Sequence, residues 1–531
     1  MNLLFLKKKF LYSSLSVIGG ALCAYGYAPY NQWFLPILGL ILLAYVLAKQ
    51  GSSKLSALYV FIFALTLNLG SLWWISSVLK NFGEMPFILA TLIILLLSSY
   101  LALFYALAGF ISRSCSFNKF LELTFFFPLF WVCSDFINGY LFTGFPWNWL
   151  GYTQISSPVS SIAPIVGAEG ITLILLMFAG AIGYLIYKFK VAVLAIPLSI
   201  IAFITISQNL TFTTQLPSVK VALLQGNIPT ETKWNPEQIS PTLKTYFKLI
   251  EQNLDSELII LPESAIPALE NDTELIIHKL DNLMYENNIG FITGIQYFDE
   301  EKNAYYNGMI GIGKIDNQGE KHYVFGKENR YYKRHLVPIG EFVPFESVLR
   351  MLGPIFNMPM SSFTRGAEEQ PNIEIHGLKV ASAICYEIIF NSELINQIKK
   401  DTSLIVTLSN DGWFNNTNGP DQHLAIARMR ALEFGKPVLR ATNNGITAVI
   451  DHKGQIIDVA PSNEVVALKT KVKPSIGMTP YTYYGRIPMI ILIIIAFILS
   501  SCARFLTRKI IKNHIKMHNE IFQKNEKSTN N

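Results

Sequence analysis

Cys385 closes an apolar run, residues 378–385, and is followed by Tyr386, Glu387 and a helix-like stretch from about Asn391. A thiol at a strand-to-helix turn is exposed at a sheet edge, where nearby backbone N–H groups can hold an oxyanion. That is the position of a nucleophile. A free thiol is equally an ordinary buried core residue, and the local context leaves both readings open. Glu263 ends a second apolar run, 257–263, in Leu261-Pro262-Glu263-Ser264. Strand C-termini are where α/β proteins put their sites, but a lone acid there also reads as a loop or helix-start residue. Lys333 lies in Tyr331-Tyr332-Lys333-Arg334-His335-Leu336-Val337-Pro338, and Glu341 follows in Gly340-Glu341-Phe342-Val343-Pro344. Basic loop clusters are usually solvated. The aromatic residues and prolines that bracket this one argue for a fixed, partly buried loop.

The elements that must position these residues lie in a polar middle segment. Strand-like runs cover 219–227, 257–263, 290–297, 305–313, 378–385, 403–409 and 446–451, and helix-like runs cover 236–254, 273–288, 391–401 and 420–435. Continuous apolar strands between amphipathic helices indicate sheets covered by helices.

The rest of the chain is a different material. Of 531 residues, 51% are apolar and only 15% charged, against about 25% charged in soluble domains. A wholly soluble enzyme and a disordered chain are both excluded. Long apolar runs occupy about 10–28, 33–48, 55–79, 86–111, 120–141, 161–187, 191–208 and 487–506. Most reach the roughly 20 residues a spanning helix needs, which makes eight expected spans; those at 33–48 and 191–208 are short. With the N-terminus inside, the inner segments hold Lys7, Lys8, Lys9, Lys49, Lys54, Arg113, Lys119, Lys188, Lys190 and a tail rich in lysine and arginine. The short outer loops hold only Lys80. The positive-inside rule then puts the middle segment outside the cytoplasm. That segment is net acidic, so the overall charge of +6 reports topology, and a nucleic-acid partner loses its support. The N-terminus has the outline of a signal peptide, but another apolar run follows at once and a retained first span is expected. The expected domains are a seven-helix transmembrane domain at 1–208, a catalytic domain at 209–486, and a last helix with a basic cytoplasmic tail at 487–531.

Taken together, these stretches resemble the nitrilase superfamily, whose catalytic set is Glu–Lys–Cys in that chain order. LPES around Glu263, YKRHLVPIGEFVPF around Lys333 and AICYE around Cys385 are similar to its membrane-embedded apolipoprotein N-acyltransferase branch. So are GFPWNWLGY at 144–152, SNDGWF at 409–414 and the stretch 426–451. The resemblance covers nearly the whole chain. It implies an αββα sandwich outside the cytoplasmic membrane of a bacterium, with both termini inside. It implies Glu263, Lys333 and Cys385 as the catalytic set, with Glu341, Tyr386, Glu387 and Trp234 supporting them or contacting substrate. The implied reaction moves a fatty acyl group from a phospholipid to Cys385 and then to the α-amine of a diacylglyceryl-modified N-terminal cysteine of an apolipoprotein. No cofactor or metal is implied.

A carboxylate beside a thiol raises its pKa by like-charge repulsion, so Glu263 works best as a general base during attack. Lys333 supplies positive charge where an oxyanion develops. Water must be kept from the thioester, which gives meaning to the apolar Met351–Phe363 as an arm over the acyl chain or against the bilayer; a core loop is the plain alternative. Gly144–Tyr152 reads as an aromatic belt at headgroup level or as a lipid contact. Asp135 and Glu169 receive no role. His278, His322, His376 and His423 lack ligand spacing and read as surface or satisfied residues. Two other functions compete: a membrane-tethered amidase or nitrile hydrolase using the same triad with water, and a transporter or scaffold with an inert outer domain.

Overall fold

The computed structural model describes residues 3–81, 83–116, 118–316, 319, 322–338, 340–342, 362–414 and 417–501. Most of Met351–Phe363 and the basic tail from Cys502 lie outside the described residues.

In chain order the strands are β1 (Thr213–Gln215), β2 (Val219–Gln225), β3 (Leu258–Ile260), β4 (Gly290–Asp299), β5 (Ala304–Gly313), β6 (Arg330–Tyr332), β7 (Ile373–Ile375), β8 (Leu378–Ile384), β9 (Thr402–Ser409), β10 (Val438–Thr442), β11 (Ala448–Ile450), β12 (Ile456–Val459), β13 (Val466–Val472) and β14 (Ser475–Gly477). They form two six-stranded sheets, β13-β2-β3-β4-β5-β6 and β12-β11-β10-β9-β8-β7, and a small pair, β1-β14. β2, β3 and β4 run parallel, as do β8, β9 and β10.

The two sheets face each other across an apolar core. Val221, Leu223, Ile260 and Ile292 from one meet Val380, Leu404, Val406 and Leu439 from the other. The far face of the first sheet is covered by the helices Pro236–Glu251 and Glu270–Glu286, through Tyr246, Leu249 and Ile250 on the former and Ile277, Leu280 and Met284 on the latter. The far face of the second is covered by the helix Gly419–Phe434, which is buried almost all round. The layer order is therefore helix, sheet, sheet, helix. Strands enclosed in this way are apolar on both faces, which is why β2 reads VKVALLQ with one exposed residue.

Where the sequence predicts a helix over 391–401, the structure has a single α-turn, Asn391–Leu394, and a 3-10 turn, Ile395–Gln397. The reason is Gln397. Its amide accepts from Ser382 N (2.9 Å) and donates to Ser382 O (2.9 Å), satisfying β8 from the side, and the chain must leave the helix to do it.

Each of the eight apolar segments is mainly helical over its described residues. Among the described residues, four helices are long and apolar enough to cross a membrane: Ser53–Leu72, Phe87–Cys115, Lys119–Asn138 and Pro158–Lys188. Phe34–Ala48, Val191–Ser207 and Ile487–Ser501 are shorter apolar helices, and Leu3–Ala24 carries the three N-terminal lysines. The span predicted over 55–79 breaks at Trp73–Trp74, beyond which a short helix, Ile75–Asn81, begins. These helices and the outer layer of the second sheet share one core: Leu43, Phe63, Trp131 and Leu176 are continuous with Ile405, Ile426 and Val438.

Candidate active site

The site straddles the two sheets. Glu263 follows β3, Lys333 follows β6 and Cys385 follows β8. Glu263 turns back over β4 because residue 294 is glycine. A Cβ there would stand 2.6 Å from Ser264 N and 2.8 Å from Glu263 Cα, closer than side chains pack.

The Glu263 carboxylate is held on both oxygens. Oε1 accepts from Asn307 Nδ2 (2.8 Å) and lies 3.4 Å from Lys333 Nζ. Oε2 accepts from Asn410 N (3.0 Å). Lys333 Nζ donates to Glu341 Oε1 (2.8 Å), and Asn307 Nδ2 reaches the same oxygen (3.1 Å). Glu341 Oε2 accepts from Val337 N (2.8 Å). One ammonium is thus shared by two carboxylates, and Asn307 bridges them. Lys333 is 1% exposed. Burial works against its charge, but Glu341 and Glu263 outweigh it and hold the ammonium well above the usual lysine range.

Cys385 is buried, with its backbone in the left-handed region at φ +53, which costs a non-glycine residue about 1 kcal/mol or more. Burial pushes the thiol up to about 12; Glu263 adds to the rise, while Lys333 and a hydrogen bond with Ser409 oppose it. At pH 7 such a group stays protonated. The resting nucleophile is therefore a neutral thiol that needs a base at the moment of attack.

Glu387 staples this turn to the lysine loop. Its Oε1 accepts from Tyr331 OH (2.9 Å), Arg334 N (2.6 Å) and His335 N (3.0 Å), and its Oε2 from Ile384 N (2.7 Å). Burial pushes its carboxyl up to about 7, against the pull of the His335 and Ile384 amides. Tyr386 points the other way, toward the membrane helices. Its OH donates to Gly144 O (3.2 Å), and its ring stacks with Trp147 at 6.4 Å.

Of the seven residues singled out from sequence, Glu263, Lys333, Glu341 and Glu387 gather at the Cys385 turn, and Tyr386 leaves that turn on the side of the membrane helices. Trp234 makes no hydrogen bond to this group among the described residues. The reach from its loop is made by Lys233, which donates to Glu263 O (3.1 Å) with its ammonium 5.8 Å from the Trp234 ring centre. Burial pulls Lys233 down to about 8, and Glu263 pulls it back up.

The headgroup-belt reading of Gly144–Tyr152 does not hold. Trp147, Trp149 and Tyr152 are buried inside the protein. Trp147 Nε1 donates to Gln422 Oε1 (2.8 Å), Trp74 Nε1 donates to the same atom (3.1 Å), and Tyr152 OH accepts from Arg430 Nη2 (2.8 Å). Uncharged aromatics with one polar atom each were needed here to bury loops against the catalytic fold.

His423 was also missed as a site residue. It is fully buried, and its Nε2 lies 3.1 Å from Cys385 O. Its Nδ1 faces Arg440 Nη2 (3.1 Å). Arginine has no acceptor, so Nδ1 accepts and the proton sits on Nε2, donating to the nucleophile's own carbonyl. Burial and Arg440 pull the imidazole below its ordinary range, keeping it neutral. Asp411 pairs with Arg440. Burial raises its carboxyl, and the Arg440 guanidinium, helped by the Ser409 hydroxyl, outweighs that and holds it well below the usual carboxylate range. Helical position was the available signal: His423 and Ala427 share a face of an apolar helix, a stripe that needs an internal partner for an imidazole.

Two family models match the chain. The apolipoprotein N-acyltransferase N-terminal domain matches residues 19–181, and carbon-nitrogen hydrolase matches residues 220–474. An apolipoprotein N-acyltransferase of Photobacterium profundum is 41% identical over 480 residues, covering 90% of this chain and 92% of that relative. Those of Vibrio parahaemolyticus and Vibrio cholerae are 39% and 40% identical and cover 92% and 88% of this chain and 96% and 93% of their own lengths.

Proposed function

Because this chain belongs to the apolipoprotein N-acyltransferase family, we propose that it N-acylates apolipoproteins through a thioester on Cys385, with a membrane phospholipid as acyl donor. The family is one of acyltransferase enzymes built on the carbon-nitrogen hydrolase domain.

The reaction has two halves. Glu263 takes the thiol proton as Cys385 Sγ attacks the ester carbonyl of the donor. The carbonyl oxygen becomes an oxyanion beside the Lys333 ammonium. Its collapse breaks the ester C–O bond, and the lyso-phospholipid leaves as an alcohol carrying the proton from Glu263. In the second half the α-amine of the diacylglyceryl-modified N-terminal cysteine attacks the thioester. Glu263 takes a proton from that nitrogen and returns it to the departing sulfur. Glu341 keeps Lys333 aimed and charged, and Glu387 keeps the lysine loop registered on the nucleophile turn. Tyr386 is assigned to support beside the nucleophile and Trp234 to a substrate-contacting loop.

The observation that carries this reading is the shared ammonium, with Lys333 2.8 Å from Glu341 and 3.4 Å from Glu263 beside a thiol too weakly acidic to ionise alone. A preformed thiolate would favour a different mechanism. We further propose the domains 1–208, 209–486 and 487–531, with eight spans, the catalytic domain on the periplasmic side of the inner membrane and both termini in the cytoplasm. The positive-inside charge pattern supports this orientation.

The tethered amidase differs in its second nucleophile, which is water. Incubation with phospholipid and a diacylated lipopeptide separates the two. The proposal expects N-acylated lipopeptide and lyso-phospholipid in equal amounts. Free fatty acid as the main product, with the lipopeptide unchanged, would favour the hydrolase.

A further inference from the structure

A groove of about 440 Å³ lies where the catalytic fold meets the last apolar helix, Ile487–Ser501. One wall comes from Ile395–Lys400, on the segment that leads away from Cys385. The other comes from Tyr483, Tyr484 and the first turns of the helix. Lys399 and Lys400 are exposed on its rim and form no ion pair among the described residues. Among the described residues, no acidic residue lines it. The acid next in sequence, Asp401, is taken by Lys379 at 2.6 Å. The remaining cation of the lining, Arg486, is turned inward, with Nε on Glu169 (2.7 Å) and Nη2 on Asn391 (2.6 Å).

Below the rim the chemistry changes. This helix is apolar and exposed over most of its surface, and Ile487, Ile490, Ile494 and Ile498 form the exposed stripe that continues from the groove. A narrow strip of that helix is packed inside, with Ile493 and Ala496 buried against the helices Phe87–Cys115 and Lys119–Asn138. Tyr483 and Tyr484 are 71% and 56% exposed at the boundary, where amphipathic rings sit at headgroup level. Two exposed lysines and two tyrosines thus line one groove from which an apolar stripe continues, the kinds of group that the phosphate, glycerol ester and acyl chain of a phospholipid need.

We propose that this groove is a binding site for one anionic phospholipid of the surrounding bilayer, its phosphate on Lys399 and Lys400 and an acyl chain along the isoleucine stripe. The lipid is bound there and not consumed. It braces the seam between the catalytic fold and the last span. The positive charge selects it: a zwitterionic headgroup offers the same phosphate with its own ammonium alongside, whereas an anionic one brings a net negative charge to the two lysines. The site does not depend on which acyl acceptor the enzyme uses.

The test uses the full chain in detergent with mixed phosphatidylcholine and phosphatidylglycerol, with retained lipid read by native mass spectrometry. The wild-type protein should retain one phosphatidylglycerol in preference to phosphatidylcholine. Lys399→Gln with Lys400→Gln should retain it about tenfold less well, with Cys385 acylation unchanged. Lys399→Arg with Lys400→Arg should restore retention, which separates loss of charge from loss of fold. Added inorganic phosphate at the same concentration should not displace the lipid. Equal retention by wild-type and glutamine variants, equal retention of the two lipids, or displacement by inorganic phosphate would each overturn the proposal.

Discussion

At the residue scale the site solves a problem of charge. A buried thiol beside a carboxylate resists ionisation, and the structure does not relieve this by separating the two. It places an ammonium between Glu263 and Glu341, so that the negative charge of the transition state, rather than of the resting thiol, is stabilised. Two expectations follow. Alkylation of Cys385 by iodoacetamide should be slow at neutral pH and rise about tenfold per pH unit between 7 and 10, because the thiol is pushed up to about 12 and only the thiolate reacts. A plateau near pH 8 would mean an activated thiolate. Lys333→Met should lower the rate of Cys385 acylation by roughly 10²–10³, the cost of losing one oxyanion partner, while phospholipid binding is retained. His423 is a positioning residue in this account, since it touches the backbone of Cys385 and not the reacting atoms. His423→Leu should reduce kcat with KM nearly unchanged, and His423→Gln, which keeps a donor, should recover part of the loss. A fall in Tm that accounts for the whole effect would reduce His423 to a structural role.

At the element scale, function depends on turns that follow strands. β3, β6 and β8 each deliver one member of the cluster, and Gly294 in β4 leaves the space in which the Glu263 turn lies. Gly294→Ala should displace that turn and cut Cys385 acylation at least tenfold while the far-ultraviolet circular dichroism stays unchanged. An active variant would show that Glu263 tolerates movement. Glu387 carries the pH dependence of this scale. Its carboxyl is pushed up to about 7, and only the ionised form can accept all four donors on its two oxygens. Activity should therefore fall as pH drops through 7 and recover above it, and Glu387→Gln should remove that acid limb along with most activity. What could be read from sequence here depended on charge. β2, β4, β5, β8 and β9 are mostly apolar, with any lysine near a strand's start, and were legible. β6 and β10 were hidden by Arg330 and Arg440, which break the pattern yet are buried on Glu270 and Asp411. A buried arginine cannot be told from a solvated one until its distant partner is known.

At the scale of the whole molecule, the catalytic fold and the apolar helices share one packed core, sewn by polar side chains. Gln422 takes both Trp74 and Trp147 on one oxygen and donates to Ser71 O (2.9 Å). Glu169, unassigned from sequence, is the hub of a buried cluster with Arg486, Tyr481 and Asn391. Removing one charge from such a pair leaves the other buried, at a cost of about 3 kcal/mol or more. Glu169→Leu should lower Tm sharply, and Glu169→Leu with Arg486→Met should lower it less than either change alone. Equal, additive losses would mean that the pair is not coupled. The presence of a membrane part was legible from composition, and the catalytic set from three separated motifs. The joint between them was not, because its residues lie up to 351 positions apart in the chain and no local pattern marks them.

The central claim is that Cys385 carries the acyl group, and the mass of the peptide that contains it tests this most directly. The purified protein is incubated with phospholipid in the absence of any lipoprotein, digested and weighed. One fatty-acyl unit is expected on that peptide, absent in Cys385→Ser and discharged on addition of a diacylated lipopeptide. An unmodified Cys385 peptide from folded protein that still transfers acyl groups would contradict the account, and the nucleophile would have to be sought elsewhere.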